Sequence, residues 1–166
     1  MTTSISRGWA GGSAPRAVPS TWNWPRAGVS NRGDPLELLE LNRIVLDRLD
    51  YGLRRPVNNG NRIEGRVWIH EDADVRASVI VGPAVIGPGA RIADSYIGPY
   101  TSIGEGACVE GAEVERSIIS AGASVKHVGG RLVASVVGRD ARVFRDFSLP
   151  RALRLQVGEG TKVALC

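Results

Sequence analysis

The chain has 166 residues, of which 43% are apolar and only 5% aromatic, so it is long enough for one domain whose core must be built from small aliphatics rather than rings. Its net charge is +4 and its pI about 9.6, but the arginines are scattered with no run of five or more, which argues against a nucleic-acid interface. Cys108 and Cys166 give neither a disulfide framework nor a zinc spacing. No apolar run reaches the roughly 18 residues of a membrane helix, and the first 30 residues lack the apolar core of a secretory signal; a cytoplasmic location is the default expectation.

Residues 1–33 are rich in Gly, Ser, Pro, Ala and Arg without periodicity, and read as an irregular or disordered segment. Trp22 and Trp24 in it are expected to make a local apolar contact. The Gly-rich run Gly11–Arg16 follows no buried strand and is discounted as a phosphate loop. Residues 34–50 read as a linker helix. Asp34 is the N-cap, Pro35 the first helical position and Glu37 the partner of a capping box. Leu38, Leu41, Val45 and Leu49 form its apolar stripe. One helix cannot bury such a stripe alone, so the stripe must meet the start of the following domain, a partner chain, or something this sequence lacks. Residues 51–62, with Pro56 and Asn58-Asn59-Gly60, form a connecting loop.

From 63 to 144 a different period takes over. Aliphatic residues recur at steps of five to seven: Ile63, Ile69, Val75, Ile80, Ile86, Ile92, Ile97, Ile103, Val109, Val114, Ile119, Val125, Leu132, Val137 and Val143. A helix needs steps of three and four, and a lone strand steps of two. A step near six fits a coil with flat sides, each presenting one aliphatic inward. Two positions before almost every aliphatic stands a small residue, such as Ala84, Ala90, Ser95, Thr101 and Ala107; only Asn61 and Val67 break the rule. Positions two apart in a strand face the same way, so both registers point inward, the large one filling the axis and the small one leaving room at a corner. Glycine often follows the aliphatic, as at Gly87, Gly98, Gly104 and Gly138, which suggests corners with positive φ. These features predict an all-β fold: a single-stranded parallel β-helix of hexapeptide repeats, four to five coils long, preceded by one α-helix. The unit aliphatic-x-x-Ser-x-aliphatic begins at Val75, Ile92, Val114 and Leu132; its intervals of 17, 22 and 18 residues suggest one serine per coil and an extra bulge near Val109 to Val114. Cys108 faces outward in this register. Residues 145–166 read as a C-terminal cap, with Leu153, Leu155 and Val157 alternating as a strand would.

Little in the chain looks catalytic. His127 lies on the irregular seven-residue step after Val125, and could serve as the base of a small hexapeptide-repeat acyltransferase using acetyl-CoA. No Asp or Glu is evidently placed to orient it, and an exposed, inert histidine is the plainer reading. His70 has less to recommend it. Ser78, Ser95, Ser117 and Ser135 occupy the small inward register, so stacking of like residues accounts for them better than nucleophilic chemistry. No metal site is expected.

Ile97-Gly98-Pro99-Tyr100-Thr101-Ser102-Ile103-Gly104 and Val81-Gly82-Pro83-Ala84-Val85-Ile86-Gly87 resemble stretches in the C-terminal β-helix of long-form glucose-1-phosphate thymidylyltransferases. The run from Asp34 to Asp47 is similar to the helix that joins their catalytic and β-helix domains, and Pro150–Gly158 to their C-terminal segment. The resemblance covers about residues 32–163. It implies a left-handed coil, and a protein of dTDP-glucose biosynthesis serving polysaccharide or antibiotic pathways. In the full-length family Mg²⁺ assists nucleotidyl transfer between dTTP and glucose 1-phosphate. The family's catalytic half, with its G-G-x-G-T-R-L loop and later Lys, is not in this sequence. Where the family has Asp-Thr-Gly before the linker helix, this chain has Asn31-Arg32-Gly33, and neither Asn31 nor Arg32 replaces a carboxylate on Mg²⁺. The resemblance therefore implies a detached β-helix domain or truncated gene product, with no catalytic residue and no cofactor of its own. Its expected partners are further copies through the β-helix and a separate catalytic domain. The alternatives are the acyltransferase with His127 or a stand-alone scaffold.

Overall fold

The computed structural model describes residues 34–48, 60–149, 154–157 and 161–164. The readings of Trp22, Trp24 and Gly11–Arg16, and the Asn31–Gly33 triplet, lie outside the described residues. Helix α1 spans Pro35–Arg48, with Leu49 and Asp50 also outside. Asp34 caps it: its Oδ1 accepts the Leu36 N–H at 3.1 Å and its carbonyl accepts the Glu37 N–H at 2.9 Å. Pro35 costs nothing at a position whose N–H needs no partner. Exposed Glu37 returns no bond to Asp34 among the described residues, so the cap is one-sided.

Three walls of five parallel strands follow. The first holds β1 (Arg62–Glu64), β4 (Val79–Val81), β7 (Tyr96–Ile97), β10 (Glu113–Glu115) and β13 (Arg131–Val133). The second holds β2 (Val67–Ile69), β5 (Ala84–Ile86), β8 (Thr101–Ile103), β11 (Ile118–Ile119) and β14 (Val136–Val137). The third holds β3 (Asp74–Arg76), β6 (Arg91–Ala93), β9 (Cys108–Glu110), β12 (Ser124–Lys126) and β15 (Arg142–Phe144). Each strand pairs with its counterpart one turn on, so the chain winds through five turns of a parallel β-solenoid. In the first wall Ile63, Ile80, Ile97, Val114 and Leu132 stack in register. Ile80, Ile97 and Val114 are fully buried, as are Ile86, Ile103 and Ile119 in the second wall and Val109 and Val125 in the third. Burying each such side chain is worth about 1.5–3 kcal/mol. The small register is inward too: Ala84, Ala90, Thr101, Ala107, Ser117 and Ala123 have no exposed surface.

The extra bulge near Val109 to Val114 is not present. Val109 pairs with Ile92 and Val114 with Ile97, so the step between them repeats the step one turn below. The interval of 22 arises because the serine column changes corner. Ser78 and Ser95 lead into the first wall, where Ala112 then takes the place; Ser117 and Ser135 lead into the second. The one long step is Val125 to Leu132, where β12 and β13 are joined through His127.

Positive φ also sits elsewhere than expected. Gly87, Gly98, Gly104 and Gly138 are not in the left-handed region; the residue just before the small inward residue is, as at Ala77, Gly89, Asp94, Gly106, Arg116, Gly122 and Ala134. The left-handed turn swings the chain around the corner and points the next, small side chain inside. Gly104 is required for another reason: a Cβ there would stand 2.6 Å from the Ala121 backbone nitrogen of the next coil. Ser78, Ser95, Ser117 and Ser135 secure the corners. Each Oγ donates to the carbonyl two residues earlier, at 2.6–3.0 Å. The Ser78, Ser95 and Ser117 oxygens also accept a backbone N–H from the next coil, from Ser95, Ala112 and Ser135. Asn61, the break in the small register, starts this column: its Oδ1 accepts Ser78 N–H at 3.0 Å and its Nδ2 donates to the Val75 carbonyl at 2.8 Å.

Helix α1 lies on the outside of the second wall, not on the end of the coil. Val85 and Ser102 are the outward residues of β5 and β8, yet are 7% and 2% exposed. Asn42 reaches Ser102: its Nδ2 donates to the Tyr100 carbonyl at 3.0 Å, and its Oδ1 accepts from Ser102 Oγ at 2.6 Å. Arg66 donates to the Asp47 carbonyl at 2.9 Å, while Glu40, near the other end of the helix, feels the charge of Arg116. The helix thus runs back along the solenoid, from its fourth turn to its first. Fourteen residues at about 1.5 Å each span about 21 Å, more than enough to cross the roughly 14 Å of the three inter-strand spacings between those turns. The buried member of the helix is Leu46, one turn beyond Asn42, at 1% exposure. The expected stripe faces elsewhere: Leu41 is 57% and Val45 50% exposed.

Beyond β15, the Arg145 N–H still donates to the Lys126 carbonyl at 3.2 Å. The strand read from Leu153, Leu155 and Val157 is absent among the described residues 154–157, which are exposed and irregular. Alternation alone does not make a strand where no ladder partner is supplied.

Candidate functional site

Two surface features could carry function, a histidine corner with its adjoining groove and the helix on the second wall. His127 adopts φ 50° on the long step between β12 and β13. Its N–H donates to the Glu110 carbonyl at 2.8 Å. The ring lies over Gly111, with Nδ1 in the space where a side chain at that position would go, so glycine there is what admits the imidazole. Phe147 meets it edge to face at 6.2 Å, and Arg145 stacks on the other ring at 5.3 Å. Glu110 is the nearest carboxylate, but its Oε1 stands 3.9 Å from Nε2, beyond a hydrogen bond. Lys126, bonded to Glu110 at 2.9 Å, holds that carboxyl below the usual glutamate range, with a smaller contribution from His127. His127 is half exposed, and among the described residues no carboxylate stands behind Nδ1. Among the described residues the corner has an imidazole but lacks the third, orienting group that would couple it to a nucleophile or acceptor.

The corner opens onto a shallow groove of about 620 Å³ along the first wall, lined by Val79, Tyr96, Glu113, Arg131, Gly129 and Gly130. Its charges satisfy each other. Arg131 bonds Glu113 at 2.9 Å and Glu115 at 3.0 Å and covers the Tyr96 ring at 4.9 Å. Glu113 and Glu115 in turn hold the guanidinium above its usual range.

The remaining candidates are structural in placement. His70 Nδ1 accepts the Asp72 N–H at 3.2 Å within its own turn, and the ring meets Trp68 edge to face. The four serines spend their hydroxyl hydrogens on backbone carbonyls. Cys108 is partly exposed beside inward Val109, with its register neighbours Arg91 and Ser124 on the third wall. Among the described residues no three His, Cys, Asp or Glu side chains cluster in a way that could hold a metal ion. No described helix is long and apolar enough to cross a membrane.

Sequence reasoning missed the Asn42–Ser102 clamp. The outward row of the second wall reads Trp68, Val85, Ser102, Ile118, Val136: one polar residue in an apolar column. On the helix face that carries Leu39 and Leu46, at steps of three and four, the intervening residue is the polar Asn42. Two polar breaks in two apolar faces were the available signal that these faces meet.

Comparison with known proteins identifies the lineage. The chain is 39% identical over 133 residues to a glucose-1-phosphate thymidylyltransferase of Streptomyces griseus, and 38% identical over 133 residues to one of Streptomyces antibioticus; each match covers 80% of this chain and 37% of the relative. A low-salt glycan biosynthesis nucleotidyltransferase of Haloferax volcanii is 35% identical over 136 residues, 80% of this chain and 38% of that protein. The chain thus spans little more than a third of the length of the curated relatives it matches. No family model and no solved structure matches. Four fifths of the chain is thus homologous to proteins named glucose-1-phosphate thymidylyltransferase or nucleotidyltransferase, and its parallel β-solenoid behind one helix is consistent with the C-terminal β-helix region of the former.

Proposed function

We propose that this chain acts in dTDP-sugar biosynthesis as the β-helix component of a thymidylyltransferase-type assembly, organising copies of itself and a catalytic partner in the cytoplasm without performing nucleotidyl transfer itself. The observation that carries the reading is the filled interior: Ile80, Ile97, Val114, Ile103 and Ile119 are each 0% exposed. A side-chain-packed prism offers surface for association rather than an enclosed site for a nucleotide and a sugar phosphate. In-line attack of a sugar phosphate on an α-phosphorus needs cationic side chains or a metal to neutralise the charge that develops. Of the arginines on the described walls, Arg62, Arg76 and Arg131 are already paired with carboxylates.

The direct test is turnover of dTTP and glucose 1-phosphate by the purified chain with Mg²⁺. The reading expects no dTDP-glucose; steady product formation would refute it. Sedimentation of the same sample is expected to report a homo-oligomer.

A further inference from the structure

The corner between the third and first walls is closed in the lower coils by a repeated set of bonds. The N–H that opens each strand of the first wall donates to the carbonyl of the small residue one coil on: Arg62 to Ser78, Val79 to Ser95 and Tyr96 to Ala112, at 2.9–3.0 Å. The N–H of each small residue donates to a side chain one coil below: Ser78 to Asn61, Ser95 to Ser78 and Ala112 to Ser95. At the next coil both sets stop. Among the described residues Glu113 makes no bond to the Gly130 carbonyl, and the Gly130 N–H meets no acceptor, because Ala112 has no hydroxyl to offer. The Gly129 N–H is likewise without an acceptor among the described residues. The long step from Val125 to Leu132 lifts the chain off this corner.

The opened corner coincides with the groove of about 620 Å³, a volume inside the roughly 300–1,000 Å³ range of small-molecule sites. Backbone groups that pair with nothing in the protein must pair with solvent or a ligand. Three such donors, on Glu113, Gly129 and Gly130, and one acceptor, the Gly130 carbonyl, belong to residues that line the groove. The Asp94 and Glu113 carboxylates and the Arg131 guanidinium line it too. Arg131 is held still by Glu113, Glu115 and the Tyr96 ring, whereas Asp94 is exposed and joined to no cation among the described residues. Val79 and Tyr96, neighbours in register and both partly exposed, add an apolar strip.

We propose that this groove binds a neutral saccharide, a function separate from the association proposed above. The lining turns other classes away. A phosphate or nucleotide would meet two carboxylates, Asp94 and Glu113, and one guanidinium that Glu113 and Glu115 already hold. An extended peptide adds to a free strand edge, and β7 and β10 under the groove are paired on both sides. An apolar ligand would bury the open N–H groups and Asp94 without partners. A sugar hydroxyl both donates and accepts. Neighbouring hydroxyls can therefore give hydrogens to the Asp94 carboxylate and the Gly130 carbonyl, and accept them from the Gly129 and Gly130 N–H groups. The C–H face of the ring then has Val79 and Tyr96 to lie against.

The test follows the amide NMR spectrum of the full chain as maltotriose is added. The expected result is saturable shifts at Glu113, Gly129 and Gly130, with a dissociation constant on the order of 1 mM. Ala112→Ser supplies the hydroxyl that the corner lacks, placed to accept the Gly130 N–H as Ser95 accepts that of Ala112. This variant should keep the native thermal midpoint or exceed it, and bind the sugar about threefold to tenfold more weakly. Arg131→Ala should weaken binding by about tenfold or more, and Arg91→Ala, on the third wall, should bind like the native chain. A titration without saturable shifts at these amides would overturn the proposal, as would undiminished binding by Ala112→Ser or by Arg131→Ala. Tighter binding of glucose 1-phosphate than of maltotriose at the same amides would also overturn it, since the groove would then be an anion site.

Discussion

The interior of the solenoid and the helix laid against its outside are built from the same residues, leucine, isoleucine and valine, but they obey different rules. Inside, Ile80, Ile97 and Val114 stand in one column, and each of these three middle turns meets an aliphatic above and below. On the helix, Leu46 is 1% exposed while Val45, beside it in sequence, is 50% exposed. In a repeating column the pattern and the packing are one fact. On a single helix, pattern says only that a face is apolar, and the partner decides which face is used.

The largest effect should come from the column. Ile97→Ala removes a fully buried side chain between two others and should cost about 2–5 kcal/mol by denaturant unfolding. Leu46→Ala should approach the lower part of that range, and Leu41→Ala should stay within about 0.5 kcal/mol. Equal losses at Leu46 and Leu41 would show that the helix is turned the other way. Next comes the approach of neighbouring coils: Gly104→Ala, facing backbone at 2.6 Å, should cost about 1–3 kcal/mol, while Gly138→Ala, with open space around it, should change little. Asn42→Ala strands the buried Ser102 hydroxyl and the Tyr100 carbonyl, and should cost about 1–3 kcal/mol without altering the solenoid's circular dichroism.

What was legible follows from repetition. The two inward registers were readable because Ala84, Ala90, Thr101 and Ala107 recur against Ile86, Ile92, Ile103 and Val109, each instance checking the others. The change of serine corner was not readable as such, since 17 plus one wall looks the same as a coil with an insertion. The glycines misled because Gly87 and Gly104 serve close approach, whereas the left-handed positions fall to residues such as Ala77, Arg116 and Ala134 that sequence does not mark. At the histidine corner, the step length singled out His127, but only the structure brings Glu110 and Gly111 from one coil and Phe147 from the tail to it.

Smaller effects sharpen the same contrast. Ala134→Gly relieves a left-handed alanine, worth roughly 1–2 kcal/mol of strain, against a cost of about 0.4–1 kcal/mol in the unfolded chain, so stability should hold or rise slightly. Ala93→Gly, within a strand, should lose about 0.5–1 kcal/mol. The smallest effect is on titration. Lys126 depresses the Glu110 carboxyl, so the contribution of that pair is present above the unfolded glutamate range and is lost as the pH falls through the lowered folded value. In an NMR titration, Glu110 should therefore protonate at lower pH than an ordinary glutamate. Lys126→Ala should raise the midpoint, and His127→Ala should raise it less.

The most direct measurement is native-state amide hydrogen exchange across the middle turns. The Val79, Arg91 and Gly104 amides, bonded to Ser95, Ala107 and Ile119 one coil on, should exchange only through global unfolding, more slowly than the amides of α1, which a few side chains hold to the wall. Exchange of those three amides as fast as the helix, or faster, would contradict the stacked interior on which the fold, the helix placement and the proposed function all depend.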